Sequence, residues 1–333
     1  MSVAAKAWFR TRPNRYANII GKNISTFMTT NKLKIMPPHK VVTLDNCTCV
    51  YCGKELTPEE TTKEHVIGRR FVPKGTLNCG WNVLVNACRG CNNMKSDLEN
   101  DISAITMQPD AWGRHPNDDQ ALADEARRKG QSSISRRTKK PVEDSSEEIK
   151  IKVPFGPNTT FTFTVTGPPM IERHRLYELA RFQLMGFFYL TTYSQETKRG
   201  GFWLGEFCPV QEALRSDWGN PVLLSFVNAV VAWKPIFMGI GADGYYKVVI
   251  RRHPSAICWS WGLEWNQNIR IVGFMGEPEA LDEALKAMPS LDMMTIPEGP
   301  DRFTRFRAEK RLAEKEDMLF NVEQFEQYGF RAT

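Results

Sequence analysis

The sequence predicts an α+β protein on three observations. Two CxxC pairs, Cys49/Cys52 and Cys88/Cys91, bracket a short unit built to close around a metal. "IKIKV" and "TFTFTV" alternate apolar and polar residues with the period of strands, while Leu176, Leu179, Phe182, Met185 and Tyr189 recur at helical spacing. A chain of 333 residues, 41% hydrophobic and 25% charged, is long enough for two domains with one sizeable core. No apolar run reaches the ~18 residues of a membrane helix. The nearest, "VLLSFVNAVVAWKPIFM", carries Asn228, Lys234 and Pro235 and is expected to be a buried helix. The N-terminus lacks an apolar signal-peptide core, so the expected location is cytoplasmic, with no membrane partner.

Taken in order, residues 1–46 form a basic arm. No acid precedes Asp45, while Lys6, Arg10, Arg12, Arg15, Lys22, Lys32, Lys34 and Lys40 accumulate. The net charge of +6 is therefore uneven: the first hundred residues hold 15 Lys and Arg against 7 Asp and Glu, and the rest hold 29 against 31. Such an arm is drawn to a polyanion by counterion release, although a solvated tail accounts for the charge equally well. Residues 47–107 form the cysteine-bearing unit. Residues 108–148 are polar and read as a linker with one short helix.

Residues 149–333 read as a larger α+β domain for target recognition or regulation. A hairpin opens it, with "PFGPNT" supplying turn residues. Helices are expected over residues 171–193, 222–233, 279–288 and 302–320. Between the second and third come a strand, "YYKVVIRR", and a second hairpin, "AICWSWGLEW" and "IRIVGF", joined by "NQN". Trp259, Trp261 and Trp265 share one face of the predicted strand with Leu263 between them, which suits a base-stacking pocket or, more commonly, a packed core. His115 and His253 carry no assignment, and this domain resembles no family.

The chemistry-bearing residues gather in the cysteine unit. Of eight cysteines, six fall between Cys47 and Cys91. Each CxxC lets two thiolates grip one ion from a tight turn, and two such pairs complete the four-sulfur shell of a structural Zn2+. Cys47 lies at the wrong spacing for a knuckle, and with Cys79 it is expected to be a spare thiol. Between the knuckles stand "TKEHVIGRRF" and then "WNVLVNACRGCNNMKSD". Alone, the Glu64–His65 dipeptide is more often a surface pair than a site. Arg69, Arg70 and Arg89 are plausible contacts to a nucleic-acid backbone, or plain exposed arginines. Lys95, three residues after Asn92, shares its helix face and is placed to touch a phosphate.

The order C-x2-C, Glu-His-Val-Ile, Asn-Val-Leu-Val, C-x2-C-Asn-x2-Lys resembles the HNH endonucleases over residues 47–100. The resemblance implies a ββα-metal, treble-clef-like module that hydrolyses phosphodiesters with one divalent ion. It assigns His65 as general base, Glu64 and Asn92 as ligands of the catalytic ion, and Asn82 as the brace of the loop that orients His65. Two departures stand out: Glu64 where the family often has Asp, and Asn92 in place of a third histidine. Both keep a hard oxygen ligand and point to Mg2+ or Mn2+ at the catalytic position. DNA is the expected substrate, and a prokaryotic restriction or phage-defence effector the expected setting; a homo-oligomer or partner subunit is left open. Two other functions fit the same sequence: a zinc-finger module that binds nucleic acid without cutting, and a nuclease active only when the C-terminal domain senses a ligand or partner.

Overall fold

The computed structural model describes residues 34–36, 40–77, 81–110, 113–156, 159–297 and 303–321. Along the chain come β1 (Lys34–Ile35), β2 (Val41–Thr43), β3 (Thr61–His65), β4 (Asn82–Cys88), α1 (Arg89–Thr106), α2 (Gln120–Ser132), β5 (Glu147–Pro154), β6 (Thr160–Gly167) and α3 (Arg173–Thr192). Then follow β7 (Glu206–Leu214), α4 (Pro221–Val230), β8 (Lys234–Gly241), β9 (Tyr246–Arg252), β10 (Cys258–Trp265), β11 (Ile269–Gly276), α5 (Pro278–Lys286), β12 (Met294–Pro297) and β13 (Phe303–Phe306). The α+β class expected from the sequence holds.

A six-stranded sheet in the order β1-β8-β9-β10-β11-β7 is the backbone of the fold. Alternation along its strands assigns residues to two faces. Tyr246, Val248, Ile250, Trp261, Leu263, Trp265 and Ile271 enter one core. Val249, Cys258, Val272 and Phe274 enter the other, under α4, α5 and the C-terminal residues Leu319 and Phe320. The tryptophans of β10 are thus packed core. Trp261 stacks on Phe207 at 4.9 Å, and Trp259 meets Phe188 edge-on at 5.3 Å.

The first face is covered by α3, which is apolar nearly all round because it is enclosed nearly all round. Phe187 packs on Phe237 of β8, and Phe182 turns its ring toward Tyr51 of the cysteine unit, each at 4.9 Å. Two close approaches explain glycines in this layer. At Gly241 a Cβ would lie 2.0 Å from Trp81, the residue preceding β4, and at Gly186 it would lie 2.6 Å from Val66, the residue after β3. The cysteine unit and the large sheet therefore share one continuous core.

That unit is a three-stranded sheet, β2-β4-β3, with β3 antiparallel and β2 parallel to β4, followed directly by α1. The basic arm takes part in both sheets: β1 runs parallel to β8, and β2 pairs with β4. Its residues 1–33 lie outside the described residues, as does Cys79. Residues 108–148 carry α2 and dock on α1. Gln108 donates to the Ala104 and Ala126 carbonyls, and Asp101 of α1 accepts from Arg175 at 2.7 Å and from the Arg136 amide at 3.0 Å.

Several elements differ from the sequence reading, β1, β2 and β12 among them. The apolar run after α4 turns into β8 at Lys234, with Pro235 at an irregular edge position that needs no amide hydrogen. β7 lies where no element was expected. The helix expected over residues 302–320 does not form: β13 and an extended segment take its place. There tertiary contacts outweigh helix propensity. Asp217 takes Arg307 and the Lys310 amide, Arg270 takes Asp317 at 3.1 Å, and Leu319 and Phe320 are buried. Among the described residues no helix is long and apolar enough to cross a membrane.

Candidate metal centre and active site

The sulfurs of Cys49, Cys52, Cys88 and Cys91 all lie within 4.8 Å of one another, with Cys52 and Cys88 at 3.9 Å. Zinc–sulfur bonds of ~2.3 Å at tetrahedral angles set sulfurs ~3.8 Å apart, so this donor set fits one Zn2+. The first pair sits on a turn closed by the Gly53 amide on the Cys49 carbonyl at 2.8 Å and the Cys49 amide on the Lys54 carbonyl at 2.7 Å. Gly53 has φ +72°, which its missing Cβ permits. Cys88 ends β4 and caps α1, so the second pair spans the strand-to-helix corner. Thiol hydrogen bonds within the cluster push Cys52 down to about 4 and Cys91 up, the sharing of protons expected of thiols packed this closely. Cys47 stands apart, its thiol directed to the Lys198 carbonyl at 3.5 Å.

Sequence reasoning missed what ties the first knuckle to β4. Asn46 and Asn86 clasp each other's backbone: Asn86 N donates to Asn46 Oδ1, Asn86 Nδ2 to the Asn46 carbonyl, and Asn46 Nδ2 to the Asn86 carbonyl, at 2.8, 2.8 and 2.7 Å. A pair of asparagines 40 residues apart, each next to a cysteine-bearing segment, was the available signal.

The corner set by the cysteines aims α1 across β3. Asn92, Lys95 and Glu99 fall on one stripe of that helix and meet Thr62, Glu64 and Gly68 in turn. Asn92 Nδ2 donates to Thr62 Oγ1 at 3.0 Å, which leaves its Oδ1 without a partner among the described residues. Lys95 is fully buried. Its ammonium donates to Glu64 Oε1 and Glu99 Oε1 at 2.7 Å each and to the His65 carbonyl at 3.0 Å, which uses all its hydrogens. The reading of Lys95 as a phosphate contact is thereby corrected: its face was right, but the face looks inward. Burial pulls its pKa down, yet Glu99 and Glu64 outweigh burial and hold it above the usual value. Burial lifts Glu64 above the usual carboxylate range, with Lys95 opposing. Three satisfied donors favour the charged pair.

His65 ends β3 and is half-buried. Burial, then the charges of Arg69 and Lys95, lower its pKa from 6.5, so the imidazole is neutral at neutral pH. Arg69 Nε donates to Nε2 at 3.2 Å, and since a guanidinium only donates, Nε2 is the unprotonated nitrogen. The loop beyond is gripped by Asn82. Its Nδ2 donates to the Ile67 carbonyl at 2.8 Å, and its Oδ1 accepts from the amides of Ile67 at 3.3 Å and Val83 at 2.8 Å. Arg69 and Arg70 are exposed in the loop after His65, whereas Arg89, also exposed, lies at the other end of β3, its amide on the Glu60 carbonyl.

The structure thus joins Asn92 to Thr62 and Lys95 to Glu64 and the His65 carbonyl along the β3–α1 seam, while Asn82, at the far end of β4 from Cys88, holds the loop after His65. Glu99 and Thr62 belong to the same constellation and were not singled out from sequence; Glu99, four residues after Lys95, was the more legible of the two. Comparison with family models, with curated proteins and with solved structures gives no match for this chain.

Proposed function

We propose that this protein is a metal-dependent endonuclease of the HNH type that hydrolyses phosphodiester bonds in DNA, with Zn2+ as staple and Mg2+ or Mn2+ as catalytic ion. The observation that supports it most is the loop after His65. Asn82 holds both peptide groups of Ile67, a restraint that a bare four-cysteine finger does not need.

In this reading His65 accepts a proton at Nε2 from the attacking water. Arg69 covers that nitrogen in the free protein, so it must swing away, and a backbone phosphate is the natural acceptor for its guanidinium. Asn92 Oδ1 and the oxygen of Glu64 not taken by Lys95 would hold a hard ion. When bound, that ion neutralises charge on the scissile phosphate and the leaving oxygen. Glu99 and Lys95 hold Glu64 in place, with Glu99 also accepting from the Gly68 amide at 3.0 Å. A role in restriction or phage defence rests on the resemblance alone.

A second reading, a zinc module that binds nucleic acid without cutting, draws support from Lys95, whose charge competes with a cation for Glu64. Incubating supercoiled plasmid with purified, zinc-loaded protein separates the two. Nicking or linearisation that appears with Mg2+ or Mn2+ and stops with EDTA is expected; a gel shift without any cleavage favours the second reading.

A further inference from the structure

Beyond the end of α1, Asp110 and residues 114–117 face Leu214, Arg215, Asn268 and Arg311 across a cavity of about 250 Å³. Three arginines from three separate segments line it: Arg114 after α1, Arg215 after β7, and Arg311 in the extended C-terminal stretch. Asp110 lies 3.5 Å from Arg114, and Glu314 lies 3.4 Å from Arg215, whereas Arg311 has no acid beside it among the described residues. The lining therefore keeps a net positive charge. His115 also lines the cavity, with its ring Nδ1 enclosed and without a partner among the described residues.

We propose that this cavity binds a small molecule carrying a phosphate monoester. Converging arginines suit a phosphate because each guanidinium offers paired donors to its oxygens. The cavity is open to solvent on one side, and its volume admits the phosphate end of a molecule such as a nucleoside monophosphate. The floor explains why such a site matters. Asn268 lines the cavity and donates to the carbonyls of Thr106 and Gln108 at 3.1 Å each, at the end of the helix that carries Asn92 and Lys95. The proposal does not depend on the nuclease reading, because its test measures binding.

The full-length protein is titrated with adenosine 5′-monophosphate and, separately, inorganic phosphate, at ionic strength held constant with KCl, and binding is read by calorimetry and by the shift in Tm. Expected is saturable binding of the nucleotide that weakens about tenfold or more in Arg311→Ala, the loss of one charge-assisted pair, and recovers in part in Arg311→Lys. Arg311 is exposed, so the alanine variant keeps its fold, as an unchanged Tm without ligand verifies. Binding of inorganic phosphate alone with the same sensitivity to Arg311 also supports the site and reduces its ligand to the phosphate group. No binding of either probe overturns the proposal, as does binding indifferent to Arg311→Ala. So does a single-stranded oligonucleotide that binds through Arg311 while the nucleotide does not.

Discussion

Lys95 Nζ lies 2.7 Å from Glu64 Oε1, across 31 residues of sequence and wholly inside the protein. The same ammonium holds Glu99, so one buried cation serves two carboxylates. Replacing it with Met leaves the buried Glu64 carboxylate uncompensated and takes from Glu99 its ion-pair partner, and is expected to destabilise the protein by about 3–5 kcal/mol. Urea denaturation checks this. A stability change below about 0.5 kcal/mol, the behaviour of an exposed phosphate-binding lysine, would contradict the buried bracket.

The two knuckles stand or fall together. Cys88→Ser removes one sulfur from the shell and with it binding energy of roughly 10 kcal/mol or more that is linked to folding. Expected are loss of bound zinc by elemental analysis and unfolding of residues 47–107. Cys47→Ser, whose sulfur points to Lys198, retains the metal.

Asn82→Ala strips two backbone amides and one carbonyl of their buried partner. A cost of about 1–3 kcal/mol follows, with loss of cleavage because His65 is no longer held. His65→Ala leaves Tm nearly unchanged.

Gly186 admits Val66 to the surface of α3. Gly186→Ala places a methyl 2.6 Å from a Val66 side-chain carbon and is expected to cost about 1–3 kcal/mol while displacing the loop behind His65. The double variant with Val66→Ala recovers part of that loss. Simple additivity in a double-mutant cycle would show that the two residues do not meet.

Lys129 of α2 is buried, donating to Ser103 at 2.9 Å and to the Arg70 carbonyl, and burial pushes its pKa down from 10.5 to about 8. Between those values the unfolded chain binds the proton that the folded chain has released, so stability rises with pH across that window. The penalty is present in full below pH 8 and gone above 10.5, a gain on the order of 3 kcal/mol. Denaturation of wild type beside Lys129→Met across that range isolates the term, since other lysines titrate in both.

The cysteine cluster and the β3–α1 corner were legible because their spacing is dictated by chemistry: CxxC closes on one ion, and a helix beginning at the second pair carries Asn92 and Lys95 on one face. What that face meets was not legible. Lys95 reads as a surface cation until Glu64 and Glu99 are seen around it, and the i, i+4 relation to Glu99 was the one local clue. In the larger domain the hairpins and α3 followed from period alone. β8 did not, because an apolar run continuing from α4 looks the same as more helix. The charged stretch before Leu319 misled in the other direction, since Arg307 is spent on Asp217 and Asp317 on Arg270.

The central claim is that His65 is the base of a hydrolytic site. It is tested most directly by cleavage rates of a duplex in Mg2+ or Mn2+ for wild type and His65→Ala, prepared side by side with equal zinc content and equal Tm. A fall of about 100-fold or more in the variant is the expected result. Equal rates in the two proteins would contradict it.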